Sequence, residues 1–325
     1  MVTGQLVRVG QSHSNRVPVI SGVPQGSVLG PLLFLMYTND IVDIFEHGVQ
    51  VKLFADDVKI YVVINDIADC MLLQRGLDNL AEWAERWQLT ISITKCAVLH
   101  IGWHNENCVY NINNVDLPNV DSISDLGVTM DSDLKFSKHI NVVVCKANQR
   151  SSLILRCFKS RDPAVLSRAF TVYVRPLLEY CSQVWSPCYV TDVRKVESVQ
   201  RRFTRRLVGM QTLSYSDRLN KLKLESLELR RLKFDLLYVY KMFKGLVNLD
   251  CTIFQLSTVL HLRGHSCKLV KPVANINIRC HSFACRIIDA WNSLPQTTID
   301  APSVNAFKKE LNKVNFNIFL QLVDD

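Results

Sequence analysis

The chain has 325 residues, 48% hydrophobic and 21% charged, with a formal net charge of +8. That composition fits one or two ordinary folded domains and excludes a disordered tail, a collagen or a mucin-like stalk. The longest apolar stretch, Val28 to Tyr37, is broken by Gly30 and Pro31 and falls well short of the roughly 18 residues of a membrane helix.

The elements follow in chain order. Gln5 to Gln11 and Arg16 to Ser21 are Val-rich runs flanking Ser-His-Ser-Asn, which predicts a hairpin. Gly22, Pro24, Gly26, Gly30 and Pro31 punctuate a loop, and a helix is expected from Pro31 to Phe45. Val49 to Ala55 and Val58 to Ile64 read as a second hairpin joined at Asp56-Asp57. Asp66 to Gln88 carries apolar residues at helical spacing. Thr90 to Gly102 is expected to return to strand, Val109 to Leu117 to turn at Asn113-Asn114, and Ser124 to Met130 to form another strand. From Ser137 the pattern is helical. The expected helices are Ser137 to Phe158, Asp162 to Tyr173, Asp192 to Val208, Tyr215 to Leu222, Ser226 to Leu246, His281 to Asn292 and Ser303 to Val314. The fold class is therefore α+β followed by an all-helical region. Domain boundaries are expected near Phe158 to Asp162 and, more softly, near Asp116 to Asp125.

Charge separates along the chain. Met1 to Met130 holds 7 Lys+Arg against 14 Asp+Glu, whereas Asp131 to Asp325 holds 31 against 16. An acidic part able to hold cations beside a basic part suited to a polyanion is one reading, and two solvated surfaces is the other. In the basic part, Val196, Val199, Phe203 and Leu207 share one helix face. Arg194, Arg201 and Arg205 lie opposite, with Lys195, Arg202 and Arg206 along a flank. Such stripes can track a phosphate backbone. His261, His265, Cys267, Cys280, His281 and Cys285 include usable zinc ligands but match no common finger spacing, so they read as core cysteines and a capping histidine. Trp185, Trp291, Phe203 and Phe283 likewise read as core. The N-terminus lacks a signal-peptide design, and eleven single cysteines without a C-x-x-C pair predict reduced thiols in an intracellular protein.

The sharpest local feature is Phe54-Ala55-Asp56-Asp57-Val58. A tight turn can bring two adjacent carboxylates to one edge, where a divalent cation would relieve their repulsion. The Gly/Pro loop lies just upstream, with Asp56 30 residues past Gly26. Glycines there let backbone approach a ligand, and Gln25 offers amide donors and an acceptor. Each motif alone also suits a solvated turn or a helix cap.

Together, "SGVPQGSVLGPLLFLMYTNDI" and "KLFADDVKIY" closely resemble motifs B and C of the reverse transcriptases of non-LTR retrotransposons of the jockey and CR1 kind. "LAEWAERWQLTISITKCAVLHIG" resembles their motif D, with Ser92 where Asn is usual, and "DLGVTMDSDLKFSKHI" resembles the entry to the thumb. "LRGHSCKL", "WNSLP" and "APSVNAFKKEL" resemble their helical tail. The resemblance implies a partial right-hand polymerase palm over 1–118, a thumb-like connection over 119–160 and a helical basic region over 161–325. It implies Mg²⁺, or Mn²⁺ in its place, on Asp56 and Asp57, and Phe54 near the primer end. It places Gln25 and Gly26 at the nucleotide and template pocket, and Lys95 at the departing pyrophosphate. RNA template, DNA primer and deoxynucleotides are the implied partners.

The family also uses a motif A aspartate ahead of motif B, yet none of Met1 to Ile20 is Asp or Glu. The expectation is a chain cut before motif A and the fingers, inactive alone, with the upstream polymerase and endonuclease parts as its missing partners. A non-catalytic nucleic-acid-binding remnant is the alternative.

Overall fold

The computed structural model describes residues 4–19, 22, 26–102, 105–247, 253–257 and 264–322. The chain divides into two compact units, Met1–Val120 and Asp121–Asp325. Helices and small sheets are both present, so the class is α+β; every sheet among the described residues is a two-stranded antiparallel hairpin.

The first unit opens with strands β1 (Gly4–Gln5), β2 (Arg8–Val9), β3 (Ser12–His13) and β4 (Val17–Pro18), β1 pairing with β4 and β2 with β3. The expected hairpin forms, but its turn sits at Gly10-Gln11 rather than in Ser-His-Ser-Asn. Gly10 has φ +62°, a conformation that carries no steric cost without a Cβ. The helix expected over Pro31 to Phe45 divides into α1 (Gly30–Tyr37) and a 3-10 segment, Asn39–Ile44. The tighter segment docks on helix α2 (Ile67–Arg86): Trp83 Nε1 donates to Asp40 Oδ1 at 3.2 Å and Asn79 Nδ2 to the Ile44 carbonyl at 2.9 Å. Asp40 is thereby a structural acceptor for a buried indole.

Helix α2 starts where its capping box says it should. Asp66 accepts from the amides of Ala68 and Asp69, and Asp69 accepts from the amide of Asp66. Its apolar stripe serves two clusters. Leu80, Trp83 and Ala84 pack with Ile41, Val58 and Ile60, and Cys70 and Leu77 pack with Tyr110, Ile112 and Leu117. Between them, strands β5 (Gln50–Phe54) and β6 (Asp57–Tyr61) form the second hairpin. Strands β7 (Asn111–Ile112) and β8 (Val115–Asp116) turn at Asn113-Asn114 as expected, both asparagines at positive φ. Gln74 clamps this hairpin, exchanging two hydrogen bonds of 3.0 Å with the Asn111 backbone. The strand expected over Thr90 to Gly102 is a 3-10 turn, Ile93–Lys95, followed by one parallel bridge, Val98 to Asn119. With no second strand alongside among the described residues, the β-rich run has no ladder to join, and Ile91 and Ile93 are partly buried as residues outside a strand.

The second unit begins with strands β9 (Ser122–Asp125) and β10 (Val128–Asp131), a hairpin turning at Leu126-Gly127 where one strand was expected. Helices α3 (Ser137–Cys157), α4 (Pro163–Tyr173), α5 (Arg175–Glu179), α6 (Ser182–Trp185) and α7 (Val190–Arg205) follow. They share one core around Ile140, Phe170, Leu178, Trp185, Val196 and Phe203, so Phe158 to Asp162 lies within a packed body. The short helices α5 and α6 escaped the sequence reading because neither is long enough to show a period. Helices α8 (Tyr215–Leu222) and α9 (Leu227–Phe243) complete the middle of the unit. The helix expected over His281 to Asn292 is broken. It is represented by α11 (Phe283–Arg286) and α12 (Ile288–Asn292), after an unexpected short α10 (Asn277–Cys280), with α13 (Gln296–Ile299) and α14 (Val304–Leu311) beyond. These pack on α9 through Trp291, Phe307, Tyr240 and Leu236. His265 is buried: its Nε2 meets the Trp291 carbonyl at 2.9 Å and its Nδ1 accepts the Cys267 amide at 3.2 Å. His261 lies outside the described residues. Among the described residues no cluster of three or more His, Cys, Asp or Glu side chains could hold a metal, the cysteines are free, and no helix is long and apolar enough to cross a membrane.

Two buried histidines, His139 and His265, are expected to make this unit sensitive to acid. His139 accepts the Thr129 amide on Nδ1 at 3.1 Å and stands edge-on to Trp185. Burial, then the charge of Lys146, holds its pKa below the ordinary value, and burial does the same to His265. An unfolded histidine titrates near about 6.5, so below that pH the unfolded chain binds protons that the folded one refuses. Stability is expected to be full above about pH 6.5, to fall as pH drops through it, and to stop falling below the lowered folded values. Urea midpoints recorded between roughly pH 7 and 5 measure this slope. His139→Asn, which keeps an acceptor for Thr129, should flatten it; an unaltered slope would exclude His139 as a source.

Candidate functional site: the Asp56-Asp57 hairpin tip

The β5–β6 register fixes which side chains meet at the tip. Phe54 pairs with Asp57, Leu53 with Val58, Lys52 with Lys59 and Val51 with Ile60. Alternation sends Val58 and Ile60 inward against α2 and leaves Phe54, Asp57, Lys52 and Lys59 on the outer face. The turn itself is Ala55-Asp56, one residue earlier than the sequence suggested, because Asp57 is already the first residue of β6. Both carboxylates thus stand at the hairpin end and both are exposed. Neither takes a hydrogen bond or ion pair from any described residue, so their oxygens are open to a cation. Hard, adjacent oxygen donors of this kind suit Mg²⁺, which keeps water and phosphate ligands besides protein carboxylates.

Two features set this turn apart from a plain surface hairpin. Ala55 has φ +52°, a left-handed conformation that costs a residue with a Cβ about 1–2 kcal/mol and that collects at functional sites. Phe54 leaves 62% of its surface to solvent beside the two acids, an apolar ring with no core to enter.

The other expected site residues lie on two further segments. Gly26, at φ +81°, is exposed in the loop ahead of α1, and an added Cβ would meet nothing within 4 Å. Gln25 lies outside the described residues. Ser27 Oγ accepts the Gly30 amide at 3.0 Å just ahead of α1, whose Tyr37 hydroxyl donates to the Trp87 carbonyl at 2.5 Å. Lys95 closes the 3-10 turn with its amine exposed. Its neighbours Ile91 and Ile93 share a cluster with Ile60 of β6, which ties that turn to the hairpin's inner face. No hydrogen bond or ion pair joins Gly26, Asp56, Asp57 and Lys95 to one another.

Helix α7 in the second unit behaves as its wheel suggests on the buried side: Val196, Val199, Phe203 and Leu207 are fully buried. Its polar side is less uniform. Arg202, Arg205 and Arg206 are exposed, and so is Arg194, which is engaged in an interaction. Arg201 lies half-buried, its guanidinium 4.6 Å from the centre of the Tyr215 ring. Lys195 is taken up by Asp192 at 2.8 Å and Asn141 at 3.1 Å. The sequence reading missed Glu197 altogether. This buried carboxylate accepts from the amides of Leu227 at 3.0 Å and Glu228 at 3.2 Å and from the Tyr215 hydroxyl. Its only sequence trace is an acid among three apolar positions of α7.

Residues 2–130 match the family model described as reverse transcriptase (RNA-dependent DNA polymerase). The chain is 29% identical over 214 residues to a probable RNA-directed DNA polymerase from transposon X-element of Drosophila melanogaster, a match covering 62% of this chain and 23% of that protein. It is 28% identical over 214 residues to the RNA-directed DNA polymerase from mobile element jockey of the same species, with the same coverage. A retrovirus-related Pol polyprotein from a type-1 retrotransposable element of Nasonia vitripennis is 26% identical over 180 residues, covering 50% of this chain and 43% of that protein. The matched part therefore spans about a quarter of the first two relatives (23%). No solved structure matches the chain.

Proposed function

We infer function from one premise: through residues 2–130 the chain belongs to the reverse transcriptases of non-LTR retrotransposons. The proposal is that the first unit is part of a polymerase palm and that the β5–β6 tip is its metal-binding corner. In the complete protein it would copy an RNA template into DNA from a primer 3′-hydroxyl. The observation that carries this is the pair of exposed, unpartnered carboxylates on a strained hairpin turn.

Asp56 and Asp57 would hold Mg²⁺, or Mn²⁺ in its place. The bound ion would ease deprotonation of the primer hydroxyl and offset charge on the leaving pyrophosphate. Phe54 supplies an apolar surface for the primer-end sugar. Gly26, with Gln25, supplies backbone and amide contacts for the nucleotide and the templating base. Lys95 supplies a positive charge, and a proton, for the departing pyrophosphate. Residues 119–160 would serve as the thumb connection and 161–325 as a basic helical region.

Two carboxylates do not complete a two-metal site, and no described residue adds a third to this pair. The chain on its own is therefore expected to give no Mg²⁺-dependent primer extension on a primed RNA template. Extension should appear when it is joined to a segment that brings another carboxylate to the tip. Robust extension by the isolated chain would overturn this account. Binding without chemistry is the second reading, favoured by Arg202, Arg205 and Arg206, which stand exposed at the end of α7 without an ion-pair partner among the described residues. Salt-dependent RNA binding in the absence of any turnover, even by the joined protein, would select it.

A further inference from the structure

The helical unit holds a basic groove whose lining includes Val208 and Met210, just past the end of α7. The groove, of ≈ 1320 Å³, runs between α4, the end of α8, the first half of α9 and α14. Seven Lys and Arg side chains line it against two carboxylates. Three of these cations are already engaged. Arg175 lies 3.5 Å from Glu179, Arg230 also pairs with Glu179, and Lys233 pairs with Glu225 and reaches Asn312 at 2.8 Å. The acids are occupied too: Glu225 holds Lys233, and Asp162 caps α4 by accepting the Ala164 amide at 2.8 Å. That leaves Arg168, Lys221, Lys223 and Lys308, all exposed and none with an ion pair or side-chain hydrogen bond to a described residue.

These four come from three separate elements, and packing of Leu166, Phe170, Phe307 and Leu311 in the cores behind them sets their convergence. Four uncompensated cations around one concavity repel one another and focus a positive potential into it. Between them the lining includes the half-buried apolar side chains of Leu222, Leu224, Leu237 and Phe234, the last with the Arg230 guanidinium 5.0 Å from its ring centre. Cations beside apolar side chains make two demands of a ligand: regularly spaced negative charge and flat apolar surface.

We propose that this groove binds single-stranded nucleic acid, with phosphates on Arg168, Lys221, Lys223 and Lys308 and bases laid against the apolar side chains. A duplex keeps its bases stacked inside and would leave those side chains unused, whereas an unpaired strand offers both surfaces. A small anion would occupy a minor part of a groove larger than the usual 300–1,000 Å³ of ligand pockets. Binding here needs neither the hairpin carboxylates nor a metal, so it is separable from polymerisation.

The test is fluorescence anisotropy of the full chain with a labelled polyuridylate of about 20 nucleotides, in EDTA, between about 50 and 200 mM salt. The groove variant combines Arg168→Glu, Lys221→Glu, Lys223→Glu and Lys308→Glu. A control reverses four exposed cations outside the groove, outside α7 and outside residues 119–160: Arg86, Lys244, Arg279 and Lys309. The groove variant is expected to lose about tenfold or more in affinity, and the salt slope to shrink by about 3 for four lost phosphate contacts on a single strand. The control should lose clearly less. The corresponding Lys→Gln and Arg→Gln set, with less disturbance of folding, should show the same ranking. Equal losses in groove and control variants, an unchanged groove variant, or duplex RNA binding as tightly as the single strand would each overturn the proposal.

Discussion

Asp56→Asn, made in a polymerase completed with a carboxylate-bearing upstream segment, is expected to remove Mg²⁺-dependent primer extension, by a factor of at least about 10²–10³. The change keeps size and shape and removes one negative charge from the hairpin tip. Asp56 is exposed and its carboxylate makes no hydrogen bond to a described residue, so the fold has little to lose. The denaturation midpoint should therefore stay within the roughly ±0.5 kcal/mol typical of surface substitutions. Separation of the two readouts is what a metal ligand predicts and a structural residue does not. Undiminished extension by the asparagine variant would remove Asp56 from the metal site. Asp57→Asn should lower extension in the same direction, since the neighbouring carboxylate shares the tip.

Glu197→Ala is expected to be the most destabilising single change outside the apolar core, by about 3–5 kcal/mol. Helix α9 begins against this carboxylate. Two of its otherwise unsatisfied first-turn amides, those of Leu227 and Glu228, donate to Glu197, while Ser226 caps the Leu229 amide at 3.2 Å. Truncation would strand both amides and the Tyr215 hydroxyl in a water-poor site. Burial, with Glu197 adding to it, already pushes the Tyr215 pKa far up. Arg231, fully buried on the next turn of α9, would also lose a compensating negative charge. Glu197→Gln retains one acceptor oxygen and turns the other into a donor, so it should cost clearly less. Urea denaturation followed by helical signal ranks the two. Equal, small effects for both would mean that water replaces the carboxylate and that the cap is not required.

The candidate site was legible because its signals are local. An Asp-Asp pair between two apolar β-runs, preceded by a Gly-rich loop and a helix start, needs no tertiary knowledge to be noticed. The same holds for the capping box at Asp66, the Asn113-Asn114 turn and the buried face of α7. In each case neighbouring residues fix the backbone or present one periodic face. The misplaced elements share the opposite property. Thr90 to Gly102 has strand-like composition, but a strand forms only against a partner, and this run meets a single bridge at Val98. Leu126-Gly127 splits an apparent strand because pairing, not propensity, decides register.

The sequence alone determined the resemblance to reverse transcriptases over residues 2–130, the paired carboxylates and the division into an acidic and a basic part, all written in contiguous residues. Tertiary structure alone decided that the turn falls at Ala55-Asp56 with a left-handed alanine, and that Glu197 faces inward to start another helix. It also decided that Arg168, Lys221, Lys223 and Lys308 surround one groove. Those facts depend on which surfaces pack together. Residues up to 140 positions apart, Arg168 and Lys308, become neighbours on one groove only once the cores behind them have closed.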